Sequence, residues 1–420
     1  MLGTLQKAWK LEDLRKRIIF TLLMFLVFRL GAHIPVPGIN AEMLKELLDT
    51  GLIFGFFDVI SGGAFKRFTI LAMGIMPYIN ASIIMQLLTV VIPSLERLAK
   101  EGIDGRKKII QYTRYGTVVL SVLQAVGMSV LLARQGAYVT PGFFNHAVTV
   151  ISLTAGTVFL MWLGELITEK GIGNGISLII FAGIVSRLPA GAVSIYQYIT
   201  SGTAGILSVL LFAVIAIVVI AAVVAMQEGQ RRIPVQYTKR VVGRRVYGGQ
   251  STHIPLRVNQ AGVIPVIFAM SILFFPHTLA SWFPHNRFAQ TITAMFDPGS
   301  VLYMSLYALL IIFFTYFYTA VTFNPQDVAD NIKKYGGFIP GLRPGRPTAE
   351  YIERILARIT LAGAVFLAFI ALLPNFVMAV TGINIYFGGT SLLIVVGVAL
   401  ETMKQLESHL LLRHYQGFIK

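Results

Sequence analysis

The 420-residue sequence contains no cysteine, which removes disulfides, thiol catalysis and cysteine metal sites together. Charge is scarce as well. Asp, Glu, Lys and Arg make up 13% of the chain, where soluble domains carry roughly 25%. Acid is the scarcer sign, with 19 Asp and Glu against 35 Lys and Arg, a net charge of +16. Hydrophobic residues reach 55% and the mean hydropathy is +0.73. A soluble enzyme or binding module does not fit this composition. A polytopic membrane protein does, and the positive excess then needs a reason.

Crossing a hydrocarbon core takes about 20 mostly apolar residues in a helix. Uncharged or nearly uncharged runs place ten spans at about 18–34, 70–92, 115–134, 148–168, 174–187, 205–227, 258–281, 302–323, 355–375 and 383–403, with a tight turn near Gly382 between the last two. The start, MLGTLQKAWKLEDLRKR, carries Glu12 and Asp13 ahead of the apolar run and no small-residue cleavage site after it. It reads as a short amphipathic surface helix with Trp9 at headgroup level and not as a signal peptide. Ten spans give alternating loops. The N-terminus, the even-numbered loops and the C-terminal tail hold 28 of the 35 basic residues, and the odd-numbered loops hold 6. The positive-inside rule then places both termini in the cytoplasm. Five spans on each side of residue 190 divide the chain into 1–190 and 191–420, a count compatible with inverted repeats around a central pathway.

The spans lack the acidic and basic side chains by which proton- and ion-coupled transporters build relays. Glu165 and Glu401 sit near cytoplasmic ends, and Arg29 is expected to extend towards an interface. Uncharged polar residues such as Asn80, Gln86, Gln124 and Asn259 take their place, and interhelical hydrogen bonding is the ordinary use of any one of them. The seven histidines show no metal spacing, and no phosphate-binding glycine loop is present. A solute transporter and an intramembrane enzyme are therefore both disfavoured. No cofactor is implied.

Two cytoplasmic loops, about 228–257 and 324–354, are much longer than orientation requires. In the first, alternation at Ile233, Val235 and Tyr237 and two strand-like runs around Val242-Gly243 predict a basic β-hairpin. Arg240, Arg244 and Arg245 lie on it. In the second, Gly336, Gly337, Pro340, Gly341, Pro344, Gly345 and Pro347 surround Arg343 and Arg346. Glycine and proline at that density predict a shaped, non-helical loop. Anionic lipid headgroups attract such segments at roughly 1 kcal/mol per charge. Shape beyond charge points to a docking partner, either a machine rich in nucleic acid or an acidic protein surface.

Several long runs, LAMGIMPYIN (71–80), EGIDGRKKIIQYTRYGT, MWLGELITEKGIGNGISLIIFAGIV, QRRIPVQYTKR, STHIPLRVNQAGVIPVIFA, FNPQDVADNIKKYGGFIPGLRPGRPT and FGGTSLLIVVGV, occur in an order that resembles the SecY family along essentially the whole chain. The resemblance implies an all-α clamshell of ten helices in two halves, a pore between them and a lateral gate towards lipid. Ile75, Ile79, Ile176, Ile180, Ile267 and Ile394 match the family's pore ring. Ile75 and Ile79, like Ile176 and Ile180, are four residues apart and share a helix face. The segment at about 52–65 matches a plug, with Ser61-Gly62-Gly63 as its joint. Gln86 and Asn259 match polar gate positions, where a membrane hydrogen bond averages about 0.6 kcal/mol and gives way to a signal peptide. Arg343 matches the residue that engages the motor ATPase SecA, and the Arg240, Arg244 and Arg245 region matches ribosome contacts. The implied function is translocation of unfolded preproteins across the bacterial cytoplasmic membrane and lateral release of apolar segments. SecE and SecG would be membrane partners, with anionic lipids around them.

Overall fold

In a bilayer no water bonds the backbone, so helix is the form open to each long apolar run. The computed structural model describes residues 2–40, 58, 61–140, 142–201, 205–237, 240–242, 245–247, 251–281, 286–296, 300–381 and 389–417. Its helices begin with α1 (Leu2–Lys10) and α2 (Glu12–Gly31), followed after a stretch of buried turns by α3 (Met76–Val91) and α4 (Pro93–Lys100). Next come α5 (Ile103–Arg134), α6 (Phe143–Lys170), α7 (Gly175–Thr200) and α8 (Ile206–Glu228). Strands β1 (Gln230–Tyr237), β2 (Arg240–Val242), β3 (Arg245–Tyr247) and β4 (Ser251–Arg257) intervene. The chain continues through α9 (Ile264–Ser281), α10 (Arg287–Met295), α11 (Val301–Thr322), α12 (Pro325–Lys334), β5 (Gly337–Phe338), α13 (Arg346–Thr381) and α14 (Gly389–Gly417).

A helix overlaps every one of the ten apolar runs. Among the described residues, six helices are long and apolar enough to cross a membrane, and a seventh span results if α3 and α4, bent by 100° at Ile92-Pro93, count together. The chain is thus a mostly helical, multi-pass membrane protein. α2 falls short of that measure because charge flanks and interrupts it, and α9 because its apolar part is only Ile264–Pro276.

Helix boundaries follow local chemistry. The run at 70–92 becomes helical only from Met76, because Gly74 takes φ +58° and Pro77 fits only the first turn. α7 starts where the Asn174 side chain accepts from the Ile176 and Ser177 amides. It then runs through Pro189 to Thr200, past the division expected at 190. The turn near Gly382 lies outside the described residues.

The predicted basic hairpin is present, with β1 and β4 antiparallel from Gln230↔Arg257 to Gln236↔Ser251, and β2 and β3 paired beyond them. The second loop, however, does not stand apart. β5 adds to β1 through Gln236↔Phe338 and Tyr237↔Gly337, giving the order β4-β1-β5. A Cβ on Gly337 would lie 2.9 Å from the Tyr237 ring, so glycine is what lets the two strands close. Ile233, Val235, Leu256, Ile332, Ile339 and Ile352 form one buried cluster under the sheet. The expectation that the second loop is non-helical fails over its first part, where α12 forms. Asn324 caps it, Pro325 occupies the first turn, and the glycine and proline density begins only after Tyr335.

Ile233→Ala should cost this sheet-centred unit about 2–5 kcal/mol. Amide exchange in β4 and β5 should accelerate while exchange in α5 and α6 stays unchanged.

Candidate functional site

The six isoleucines lie on or just ahead of four helices and belong to or pack against one apolar cluster. Ile75 immediately precedes α3 and Ile79 lies in its first turn; Ile176 and Ile180 are in the opening turns of α7; Ile267 is on α9 and Ile394 on α14. Ile75, Ile79, Ile180 and Ile394 are buried members of a single apolar cluster, and Ile176 and Ile267 pack against it. α3 neighbours α9, and α7 neighbours α14. Each of these contacts joins a helix from before residue 200 to one from after it. Small residues bring the backbones close enough. A Cβ on Gly164 of α6 would lie 2.5 Å from Ile176 Cδ1, and one on Gly397 of α14 would lie 2.6 Å from Val263 Cγ1. Chemically an apolar cluster of this kind offers no hydrogen bond or charge to a ligand.

Of the segment expected as a plug, residues 58 and 61–65 are described and 52–57, 59 and 60 are not. Gly62 and Gly63 take φ +68° and +85°, a backbone that glycine adopts at no steric cost. Ser61 is buried, and its Oγ accepts from the Phe65 amide at 3.1 Å. Beyond this turn, Pro35 bridges Thr69, and the Ile70 amide donates to Ile34 O at 3.0 Å. The segment is thereby fixed along the end of α2 before α3 begins.

Arg29 is engaged within the fold. Its Nη1 donates to Gly62 O at 2.7 Å and to Ser186 Oγ at 3.3 Å. Asp58, buried ahead of the glycine joint, forms an ion pair with Arg187 of α7. Sequence reasoning missed this group because Ser186 and Arg187 lie more than a hundred residues from Arg29 and Asp58. One signal was available: Asp58 is a lone acid within the apolar run GLIFGFFDVISGG.

Gln86 and Asn259 sit on α3 and just ahead of α9, on the two sides of one seam. Gln86 Nε2 donates to Ser82 Oγ at 3.3 Å, and Asn259 Nδ2 to Gly262 O at 3.0 Å. Asn259 Oδ1 is buried without a partner. Both amides thus bond locally, and the polar contact expected across the seam is not formed between these two residues.

Arg343 projects from a turn that is itself held in place. Thr348 Oγ1 donates to Arg343 O at 2.8 Å, and the Thr348 and Ala349 amides close on Gly345 O at 3.0 and 3.1 Å. The Arg343 side chain is exposed. Arg240 and Arg245 belong to the paired strands β2 and β3, and Arg244 lies outside the described residues. Among the described residues, no group of three His, Asp or Glu could hold a metal ion.

A model of the SecY family matches residues 69–403. The chain is 50% identical over 428 residues to the protein translocase subunit SecY of Vibrio cholerae, covering 98% of this chain and 95% of that protein. It is likewise 50% identical over 419 residues to the subunit of that name from Escherichia coli, with the same coverage. In fold it is similar to a solved protein conducting channel, with TM-score 0.65 at 19% identity over 94% of this chain and 92% of the other. A SecY structure whose plug domain is described as stabilizing the closed state matches at TM-score 0.65 and 20% identity, with the same coverage. Sec61 in a canine ribosome-channel complex matches at TM-score 0.59 and 18% identity, again over 94% and 92% of the two chains. Half-identity along nearly the full length of both sequences means that the chain belongs to the SecY family.

Proposed function

We propose that this chain is the pore-forming subunit of a protein-conducting channel in the bacterial cytoplasmic membrane. It passes unfolded secretory polypeptides outward and releases transmembrane segments sideways into lipid. The observation that carries the reading is that half-identity to SecY subunits along nearly the whole chain goes with six isoleucines, on or beside four helices, that share one apolar cluster. In the proposed architecture, ten spans form a clamshell of two halves, 1–190 and 191–420, with both termini cytoplasmic. The isoleucines close the waist of the pore. Their branched side chains pack on each other when the pore is empty and rearrange around a passing chain, offering it no hydrogen bond to linger on.

The segment at about 52–65 acts as a plug on the outer side. The seam of Gln86 and Asn259 is the lateral gate. In this structure their amides bond locally, so an arriving apolar segment displaces no direct bond between them. The chain itself makes and breaks no covalent bond. SecA or a translating ribosome supplies the drive, docking on Arg343 and on Arg240, Arg244 and Arg245. SecE and SecG complete the membrane complex, and anionic lipids neutralise the remaining cytoplasmic cations.

Two experiments test the reading. Arg343→Glu should abolish SecA-driven export into reconstituted vesicles while insertion and orientation stay intact; normal export would remove Arg343 from the docking site. The double substitution of Ile79→Gly and Ile180→Gly should make resting vesicles leak ions, whereas the volume-conserving Ile79→Leu and Ile180→Leu pair should hold the seal. Equal conductance in the two double variants would contradict the ring.

A further inference from the structure

The most unusual chemistry in the membrane part of the chain is the charge gathered around the glycine joint. Asp58 is 5% exposed. Its carboxylate pairs with the Arg187 guanidinium and accepts from the Lys66 amide at 2.7 Å. The turn folds back on the same residue: the Gly63 amide donates to Asp58 O at 2.7 Å, and Ser61 Oγ donates to it at 3.3 Å. Arg29 of α2 reaches in from the other side and holds Gly62 O. It also bonds Ser186, the residue before Arg187, so α7 presents both of its anchors in consecutive positions. The backbones are close too. A Cβ on Gly62 would lie 3.2 Å from Gly183 Cα.

The balance of charge is one-sided. The position a Cβ on Gly63 would take is 3.3 Å from Arg67 Nη2 and 3.4 Å from Arg187 Nη1. Arg29, Arg67 and Arg187 therefore converge on a turn to which Asp58 supplies counter-charge. With that carboxylate in place the arginines clasp the segment. Without it they repel one another.

From this geometry we propose that Asp58, Arg187 and Arg29 form an electrostatic latch that holds the plug turn against α2 and α7 in the closed channel. The proposal rests on the channel reading above. Two anchors on adjacent residues of one helix make the latch cooperative. A displacement of α7 away from the turn breaks the ion pair and the Ser186 contact in the same motion. Of the latch's side-chain contacts only the Arg29 bond to Gly62 O then remains, a single charge-assisted hydrogen bond to a neutral carbonyl. Arrival of a secretory chain, which must part the helices around the ring, is the event that releases the latch. Until then the ion pair favours the seated turn.

The test uses Asp58→Asn, Arg187→Gln and the charge-swapped pair of Asp58→Arg with Arg187→Asp, each reconstituted as the assembled channel complex in liposomes. Two quantities are read from the same vesicles: resting ion leak, and export of an unfolded precursor, which counts the functional channels. Each single variant should raise the leak per exporting channel about tenfold or more, as a shift in the closed-to-open ratio of that size requires. The swap should return it most of the way to the unsubstituted level. Leak per channel unchanged in both single variants, or a swap no tighter than the singles, overturns the latch and leaves the channel reading standing. Failure of the unsubstituted complex to export any precursor overturns that reading, and the latch with it.

Discussion

The apolar contact among α3, α7, α9 and α14 is the constraint on which the rest depends. A seal made of isoleucine side chains has no directional bonds, and single dispersion contacts are worth only about 0.1–0.2 kcal/mol each. In the proposed pore such a contact would yield to an entering chain and re-form behind it, provided that the helices carrying it are held in register by other means. Glycine supplies much of that register. A Cβ on Gly156 of α6 would lie 1.8 Å from Ile70 O, and one on Gly175 of α7 would lie 1.9 Å from Gly164 O. These are backbone-to-backbone approaches of the kind that small residues permit between membrane helices. The framework is close-packed and the constriction is soft, and the two properties belong to different residues.

The positive excess divides in a similar way. Orientation accounts for a cytoplasmic bias but needs no fold. The basic loops have one: β1, β4, β5, α12 and the start of α13 share a core of buried isoleucines, leucine and valine. Arg343 on one loop and the strands of the other are therefore parts of a single body joined to α8, α11 and α13. At the far end of the chain, Lys404 of α14 pairs with Glu228 of α8 at 3.0 Å, and its Nζ reaches Gln227 O at 3.4 Å. The base of the folded basic unit is thus tied to the helix that carries Ile394.

Hydropathy located a helix over every apolar run, because helix is the form such a run can take in lipid. Alternation at Ile233, Val235 and Tyr237 located β1, because the sheet buries one face. The failures were of two kinds. α12 was legible but overlooked: Asn324, Pro325, Asp327 and the terminal lysines mark a short helix, and the glycine and proline that argue against one come later. The pairing of β1 with β5 and of Asp58 with Arg187 was not legible. Each joins residues about 100 or more positions apart, and no local pattern carries that information. The pore isoleucines lie between these cases. Spacing alone gave each pair a shared helix face, the family resemblance gave them a proposed role, and the folded chain places them in or against one apolar cluster.

The account's central claim is that a polypeptide passes through the isoleucine constriction. The direct measurement is photocrosslinking of a stalled secretory chain to probes placed singly at Ile79, Ile180, Ile267 and Ile394. Passage through the ring predicts adducts to one short stretch of the stalled chain from all four positions, shifting together as the stall point is moved. Adducts confined to probes in the outer loops, with none at these four, would contradict it.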